Sequence, residues 1–432
     1  MSSMFEGCSS LTSLDLSSFN TILVTQMDKM FKYREELISL NLSNFNTPKL
    51  KKMYHFLYGC TKLKYIDLTS FTTDSVTELD SIFYNCFLLT SINITNFNSK
   101  NAVNMEQMFK GCKSLKEIDL SNMDTSKVKY MKKMFSECVS LISLDLSNFR
   151  TPKVENMENM FSECNSITSL DISNFDLSNV KSIKNMFGNC WSLLSLDLSS
   201  FDISRKDVES MFFNCYSLTS IIFSNQQTLW GNITFMFYNC SSLKSLDFSY
   251  FDFEEVQDAD FLFYNCSLLK ELDMSNINAS SVENMNFMFS SCKSLKSINF
   301  SNFLTSSVKT FYCMFSDCES LISLDLSSFD TSFVTDMESM FLNCTELVSV
   351  NLTSFNTFQV DTMNSMFFNC HNLKSLDLSK FIVKSYTNFE NMFNNCSNLK
   401  YIDFSNFEEE SERIKNMIYK TSKYLIVCMR QK

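Results

Sequence analysis

The chain repeats itself every 26 residues, and no other feature constrains its fold so tightly. The cleanest copy runs from Cys138 to Glu163, CVSLISLDLSNFRTPKVENMENMFSE, and the next begins at Cys164. A unit this short cannot bury its own apolar face, so copies must stack into a solenoid with a shared core. Aligned on the cysteine, copies start at 8, 34, 60, 86, 112, 138, 164, 190, 215, 240, 266, 292, 318, 344, 370 and 396, with Arg34 in place of the second cysteine. The two steps after Cys190 are 25 residues and the others are 26. Met1, Met4 and Phe5 occupy the columns of Met157, Met160 and Phe161. The chain therefore opens inside a repeat, which predicts more of the protein upstream.

The period changes within each unit. Leu141, Leu144 and Leu146 follow L-x-x-L-x-L, with Ser143, Asp145 and Ser147 alternating, which predicts a short strand with leucines inward. Thr151 before Pro152, like Thr47 before Pro48, predicts an N-cap and a first helical turn. Val154, Met157, Met160, Phe161 and Cys164 then fall on one face of a helix or of short helical turns. The expected fold is an α/β repeat solenoid: a leucine-rich-repeat-like stack of about sixteen strand–helical-turn units with one parallel sheet. It spans residues 1–407, with irregular units around 205–260, and 408–432 form a degenerate last unit and a C-terminal tail or cap. In that last segment Glu408 to Glu412 are acidic, Ile414 and Met417 fall two residues late, and Tyr424 to Met429 read as a closing strand.

Composition excludes several function classes. A net charge of -11 argues against nucleic acid, whose phosphates need a basic face. No apolar run approaches a membrane span, so no membrane insertion is expected, and no basic segment with an apolar stretch follows Met1. With Gly 5 and Pro 2, turns must be built from Ser, Asn and Asp. Neither a recurring histidine partner for Ser or Cys nor a glycine-rich phosphate loop exists, so the chain reads as a non-enzyme without cofactors.

Of seventeen cysteines, fifteen share the repeat column and only Cys313 and Cys428 stand off it. Metal sites need clustered ligands, and His55 and His371 do not supply them. Parallel side chains in stacked units suit a disulfide poorly. The column reads as buried free thiols acting as small hydrophobes, and the Phe and Met columns as core.

Seven residues after the cysteine stands Asp15, Asp67, Asp119, Asp145, Asp171, Asp197, Asp247, Asp273, Asp325, Asp377 or Asp403. Asn41, Asn93, Asn299 and Asn351 fill four other places and Ile222 one. A ladder of like charges costs energy. Solvent screening, bonds to flanking serines and raised pKa values are expected to relieve it. A line of weak Ca²⁺ sites is the sharper alternative, although no glycine-bearing calcium loop is present. The candidate ligand face is Asp119, Asp145, Asp171, Asp197, Asp247 and Asp273. Trp230 joins it because the irregular stretch Arg205 to Asp260 gains Trp230-Gly231, Gln226 for Phe and an acidic cluster from Asp252 to Asp260.

L-x-x-L-x-L with M-F-x-x-C-x-x-L, as in Met134-Phe135-Ser136-Glu137-Cys138-Val139-Ser140-Leu141, resembles the BspA-like leucine-rich repeats and the related 26-residue surface-protein repeat DUF285. The resemblance covers Met1 to about Phe407. It implies a surface or secreted recognition and adhesion protein that binds a host or extracellular-matrix protein, or a glycan, along its sheet face. An intracellular scaffold for cytosolic partners stays open beside it, as does a purely structural fragment.

Overall fold

The computed structural model describes residues 1–8, 10–224, 228–405 and 411–429. It comprises two compact units, Met1–Asp202 with Met211–Ser224, and Ile203–Ser210 with Asn225–Lys432. Each is a parallel β-solenoid in which one repeat makes one coil, so the sequence period becomes strand register. In the first unit Ser13, Leu14 and Asp15 face Ser39, Leu40 and Asn41. Tyr65–Asp67 pairs likewise with Ser91–Asn93, and Ser195–Leu198 with Ser220–Phe223. In the second unit Thr228–Leu229 pairs with Phe251–Asp252, Glu271–Asp273 with Ser297–Asn299, and Ser323–Asp325 with Ser349–Asn351. Ser375–Asp377, Tyr401–Phe404 and Ile426–Met429 form a three-stranded parallel sheet, so the stretch expected as a closing strand does pair. The expected single sheet is thus a series of short pairings among the described residues. The acidic residues 408–410, and Gln226, lie outside the described residues.

The expected helical segment is not helical. Among the described residues the one α-helix is Ser411–Met417. Where Val154 to Cys164 predicted a helix face, alternate N–H groups leave the coil. Met157, Asn159, Phe161 and Glu163 donate to the carbonyls of Ser182, Lys184, Met186 and Gly188 in the next coil, at 3.1, 2.9, 2.9 and 2.8 Å. The intervening N–H groups of Met160, Ser162 and Cys164 turn back to Met157, Asn159 and Phe161, at 3.2, 3.2 and 3.1 Å. The cause is two left-handed residues per coil. The fifth residue before the column cysteine and the one just before it have positive φ in every coil, from Ser3 and Gly7 to Asn391 and Asn395. A residue in that region cannot continue a right-handed helix. The segment becomes linked turns hydrogen-bonded in parallel to the neighbouring coil, and a second row of single bridges runs beside it. That row joins Asn104, Tyr130, Asn156 and Ser182 in the first unit and Asp258, Asn284, Thr310 and Asp336 in the second.

Thr151 is no N-cap either. It is fully buried, and its Oγ1 donates to the Asp176 carbonyl at 2.9 Å while accepting the Asp176 N–H at 2.7 Å. Thr125 does the same with Arg150, and Thr331 with Asn356. Each hydroxyl bridges a gap between coils that no backbone group fills. Pro152 instead opens the turn Thr151–Val154, closed by a 3.1 Å bond, a position that suits its fixed φ. Thr331→Val keeps the shape but strands a buried N–H and C=O. It is expected to cost the second unit about 2 kcal/mol in urea unfolding.

The core follows the columns. Phe109, Phe135, Phe161 and Phe187 stack with centroids 5.4 to 5.8 Å apart in the first unit, as Phe263, Phe289, Phe315 and Phe341 do in the second. All seventeen cysteines are free, and those from Cys60 to Cys396 are buried. Their thiols are more than small hydrophobes: Cys164 Sγ donates to the Phe135 carbonyl at 3.1 Å, and the contact recurs along both units. In the irregular stretch, Gly231 is required because a Cβ there would lie 2.5 Å from the Lys206 carbonyl oxygen.

Candidate functional site

Where a coil carries a strand, the strand offers its polar residues outward. The segments around Asp119, Asp145, Asp171 and Asp247 form no strand, against the expectation for Leu141 to Leu146, yet keep the same alternation of buried and exposed residues. In Ser323–Asp325 the pattern is exposed, buried, exposed, with Leu324 held in the core. Asp119, Asp145, Asp171, Asp197, Asp247 and Asp273 are all exposed, one per coil in the same column. The face is hollowed in places. A hollow of about 590 Å³ in the first unit is lined by Ser13, Asp15, Ser39, Asn41, Tyr65 and Asp67. Another of about 540 Å³ in the second unit is lined by Ser245, Glu271, Asp273, Ser297 and Asn299.

The aspartates have a local task. Oδ1 of each accepts the N–H of the residue two positions on, at 2.9 Å from Ser147 to Asp145 and 2.8 Å from Ser199 to Asp197. This Asx turn closes the corner where the strand ends. Asn41, Asn93, Asn299 and Asn351 make the same bond at 3.1 to 3.4 Å. The corner therefore needs an acceptor and gains a shorter bond from a charged one. Similar corners recur at Asp124 and Asp330, and at Asn156 and Asp336.

These bonds set the electrostatics, and in the direction opposite to the expected one. The hydroxyl and N–H of the following serine hold the carboxyls of Asp119, Asp171, Asp197 and Asp247 below the ordinary value. At Asp145 the Ser147 N–H leads, and repulsion from Asp119 and Asp171 is the weakest influence. Donors to the ionised form outweigh like charge spaced along an exposed face. Because the folded values are depressed, the stabilisation is present above the unfolded value near pH 4 and fades as pH falls through the folded one. Asp145→Asn is expected to lower the thermal midpoint slightly, by the charge-assisted part of the bond, and Asp145→Ala to lower it further, since only alanine removes the acceptor. Calorimetry at neutral pH checks both.

Trp230 does not join this face. It is 1% exposed and packs edge-on against Phe251 at 4.8 Å, and its backbone N–H donates to the Asp252 carbonyl. An indole filling the core of an irregular coil has no surface to offer a partner. The acidic cluster beside it is dispersed: Asp252 and Asp258 close corners, Glu255 pairs with Arg205 at 3.0 Å, and Asp260 accepts from Asn286. Ile222, where Asp is missing, is 57% exposed on its strand. Sequence reasoning missed the column three residues before the aspartate. There Ile142, Leu194 and Ile322 stand about half exposed, in a column that also holds Lys116, Lys244, Lys270 and Lys296. Its signal was a second aliphatic residue directly after the core leucine, as in Leu141-Ile142, Leu193-Leu194 and Leu321-Ile322, where other coils place Lys or Thr. Among the described residues, no three His, Cys, Asp or Glu converge on a metal position, and no helix is long and apolar enough to cross a membrane.

A known structure shows the same fold, and others align at lower scores. A leucine-rich repeat protein from Bacteroides ovatus aligns over 97% of this chain and 92% of its own, at 18% identity and a TM-score of 0.50, a likeness of fold. A leucine rich cell surface protein from Faecalibacterium prausnitzii aligns over 83% of this chain and 84% of its own, at 16% identity and a TM-score of 0.34. The pneumococcal vaccine antigen PcpA aligns over 99% and 91%, at 14% identity and 0.42. No curated protein matches the sequence. The family described as "Mycoplasma protein of unknown function, DUF285" matches residues 1–118, 58–169, 103–226, 231–323 and 319–426. Its repeat and the coil seen here coincide along nearly the whole chain, which belongs to the DUF285 family of leucine-rich repeat proteins.

Proposed function

We propose that the protein is a non-enzymatic scaffold that binds a partner protein or a glycan along the strand face. One observation carries the reading: the same exposed hydroxyl and carboxylate columns recur coil after coil, over hollows lined by those side chains. One oxygen of each aspartate closes its corner, and the remaining acceptor capacity faces solvent. Carboxylates spread along a face, rather than gathered in one pocket, suit recognition over a surface and not a reaction at a point. The aliphatic and lysine column beside them supplies apolar contact and the opposite charge.

A surface or secreted setting is supported by the resemblance to surface-protein repeats. A second reading, an intracellular scaffold, is favoured by the free state of every cysteine. Labelling intact cells with a membrane-impermeant reagent separates the two. For binding, protein and glycan arrays are probed with the full chain and with an Asp145→Asn, Asp171→Asn, Asp197→Asn variant, which keeps the corners. Signals that vanish with the variant support the strand face. Signals that persist in it, or a wild type that binds nothing, count against the proposal.

A further inference from the structure

The linked turns leave four columns partly at the surface, the sixth, fifth, second and first residues before the cysteine, with small side chains such as Ser162 and Ser290 buried among them. In the first unit these columns mix Lys29, Lys32, Lys110, Lys132, Lys133 and Lys184 with seven carboxylates, among them Asp28, Asp80, Glu106 and Glu158. In the second unit, over the coils from Cys240 to Cys396, they carry Asp260, Asp317, Glu338 and Glu390 and neither lysine nor arginine. The same stretch holds an aromatic strip. Phe235, Phe261 and Phe287 stack at 4.9 and 4.7 Å, Tyr238 and Tyr264 stack at 4.7 Å beside them, and Tyr312 meets the edge of Phe287 at 5.0 Å. All six rings are partly exposed.

The three phenylalanines sit where the backbone tolerates them least. Their φ values are 58, 57 and 54°, in a column where other coils use residues such as Ser81, Asn159, Asn185, Ser339 and Asn391. A bulky side chain in the left-handed region is strained. The core does not need them, because Phe237, Phe263 and Phe289, two positions on, already fill it. Strained aromatic residues held at a surface in three successive coils point to a contact rather than to folding.

We propose that this turn face of the second unit docks a basic, amphipathic polypeptide segment. Because neighbouring rings pack on one another, part of each stays uncovered, and together they offer an apolar strip. Two carboxylates, Asp260 and Asp317, stand in the coils of the strip, bonded to the neutral Asn286 and Asn343. These columns hold no lysine or arginine, so the partner brings the cation with its apolar side chains. A nucleic acid or an anionic membrane would be repelled by the same frame.

The test uses the full chain and a fluorescent Leu/Lys amphipathic peptide of about 18 residues. Its controls are a Leu/Glu peptide of the same pattern and a Gly/Ser/Lys peptide of the same charge. Fluorescence anisotropy should show tight binding to the Leu/Lys peptide alone. Phe261→Asn with Phe287→Asn should weaken it by at least about tenfold while the thermal midpoint holds or rises, because asparagine accepts the left-handed backbone. Equal binding of a control peptide overturns the proposal, as does unchanged binding by the variant. A lowered midpoint also overturns it, since the rings would then serve the fold.

Discussion

Raising the pH past about 9 is expected to unfold each unit over a narrow range, because the thiol ladder makes burial and protonation one equilibrium. In the first unit Cys60, Cys86, Cys112, Cys138, Cys164, Cys190 and Cys215 have no exposed surface. Burial pushes the thiols of Cys60, Cys138 and Cys190 up to about 12 and those of the other four well above the ordinary value. Below the ordinary thiol value both states are protonated and the native state keeps its full advantage. Above it the unfolded chain releases protons that the folded chain retains, so stability falls as pH rises toward the folded values. Each thiol contributes about 1.4 kcal/mol per pH unit in that window. Seven together remove about 10 kcal/mol within roughly one unit of the unfolded value, which is comparable to the entire stability of an ordinary domain. The second unit carries the same ladder from Cys266 to Cys396.

Circular dichroism against pH, with a reductant present, should show a steep loss of structure between about pH 9.5 and 10.5. Thiolate absorbance should rise in the same transition. At neutral pH only Cys8 and Cys428, the two exposed cysteines, should react quickly with an alkylating reagent. Persistence of the fold to about pH 11 would show that the ladder is hydrated in solution.

The period, the inward columns and the parallel stacking were legible because packing dictates them residue by residue. Cys138, Leu141, Leu144 and Phe161 are buried where a shared core requires them. The helical reading failed because apolar spacing cannot tell a helix from linked turns. Val154, Met157, Met160, Phe161 and Cys164 share a face in either geometry. What separates the two is the column before the cysteine, where Gly7, Gly59 and Gly111 alternate with Asn85, Asn189 and Asn343. Glycine and asparagine share a position most readily where φ is positive. Thr151 was misread for a related reason: threonine before proline marks a helix start only when its hydroxyl has a local N–H to cap. Here the nearest demand comes from Asp176, one coil away. The aspartate column was legible as a position but not as a corner, since nothing in a sequence shows which oxygen a turn will use. Asn41 and Asn351 in the same column were the available hint that an acceptor, not a charge, is the minimum requirement.

Arg34→Met is expected to raise the stability of the first unit by about 3 kcal/mol. Arg34 stands in the thiol column with no exposed surface. One guanidinium nitrogen, Nη1, donates to the Cys8 carbonyl, while Nε and Nη2 have no hydrogen-bond partner. Its contact with the Phe5 ring, 5.9 Å away, returns only about 1 kcal/mol. A buried cation with unmet donors costs several times that. Methionine has nearly the same length and adapts to irregular space, so the substitution removes the charge without opening a large void. Arg34→Ala removes the charge too but leaves a cavity, and should fall below the methionine variant in urea midpoint. The guanidinium also opposes, weakly against burial, the rise of the Cys60 thiol, so the methionine variant should hold that thiol protonated to higher pH. A urea midpoint lower than wild type would mean that the two spare nitrogens find an acceptor in solution. Arg34 would then be a binding residue at that end of the unit, and adding carboxylate or sulfate salts should raise the wild-type midpoint while leaving the methionine variant unmoved.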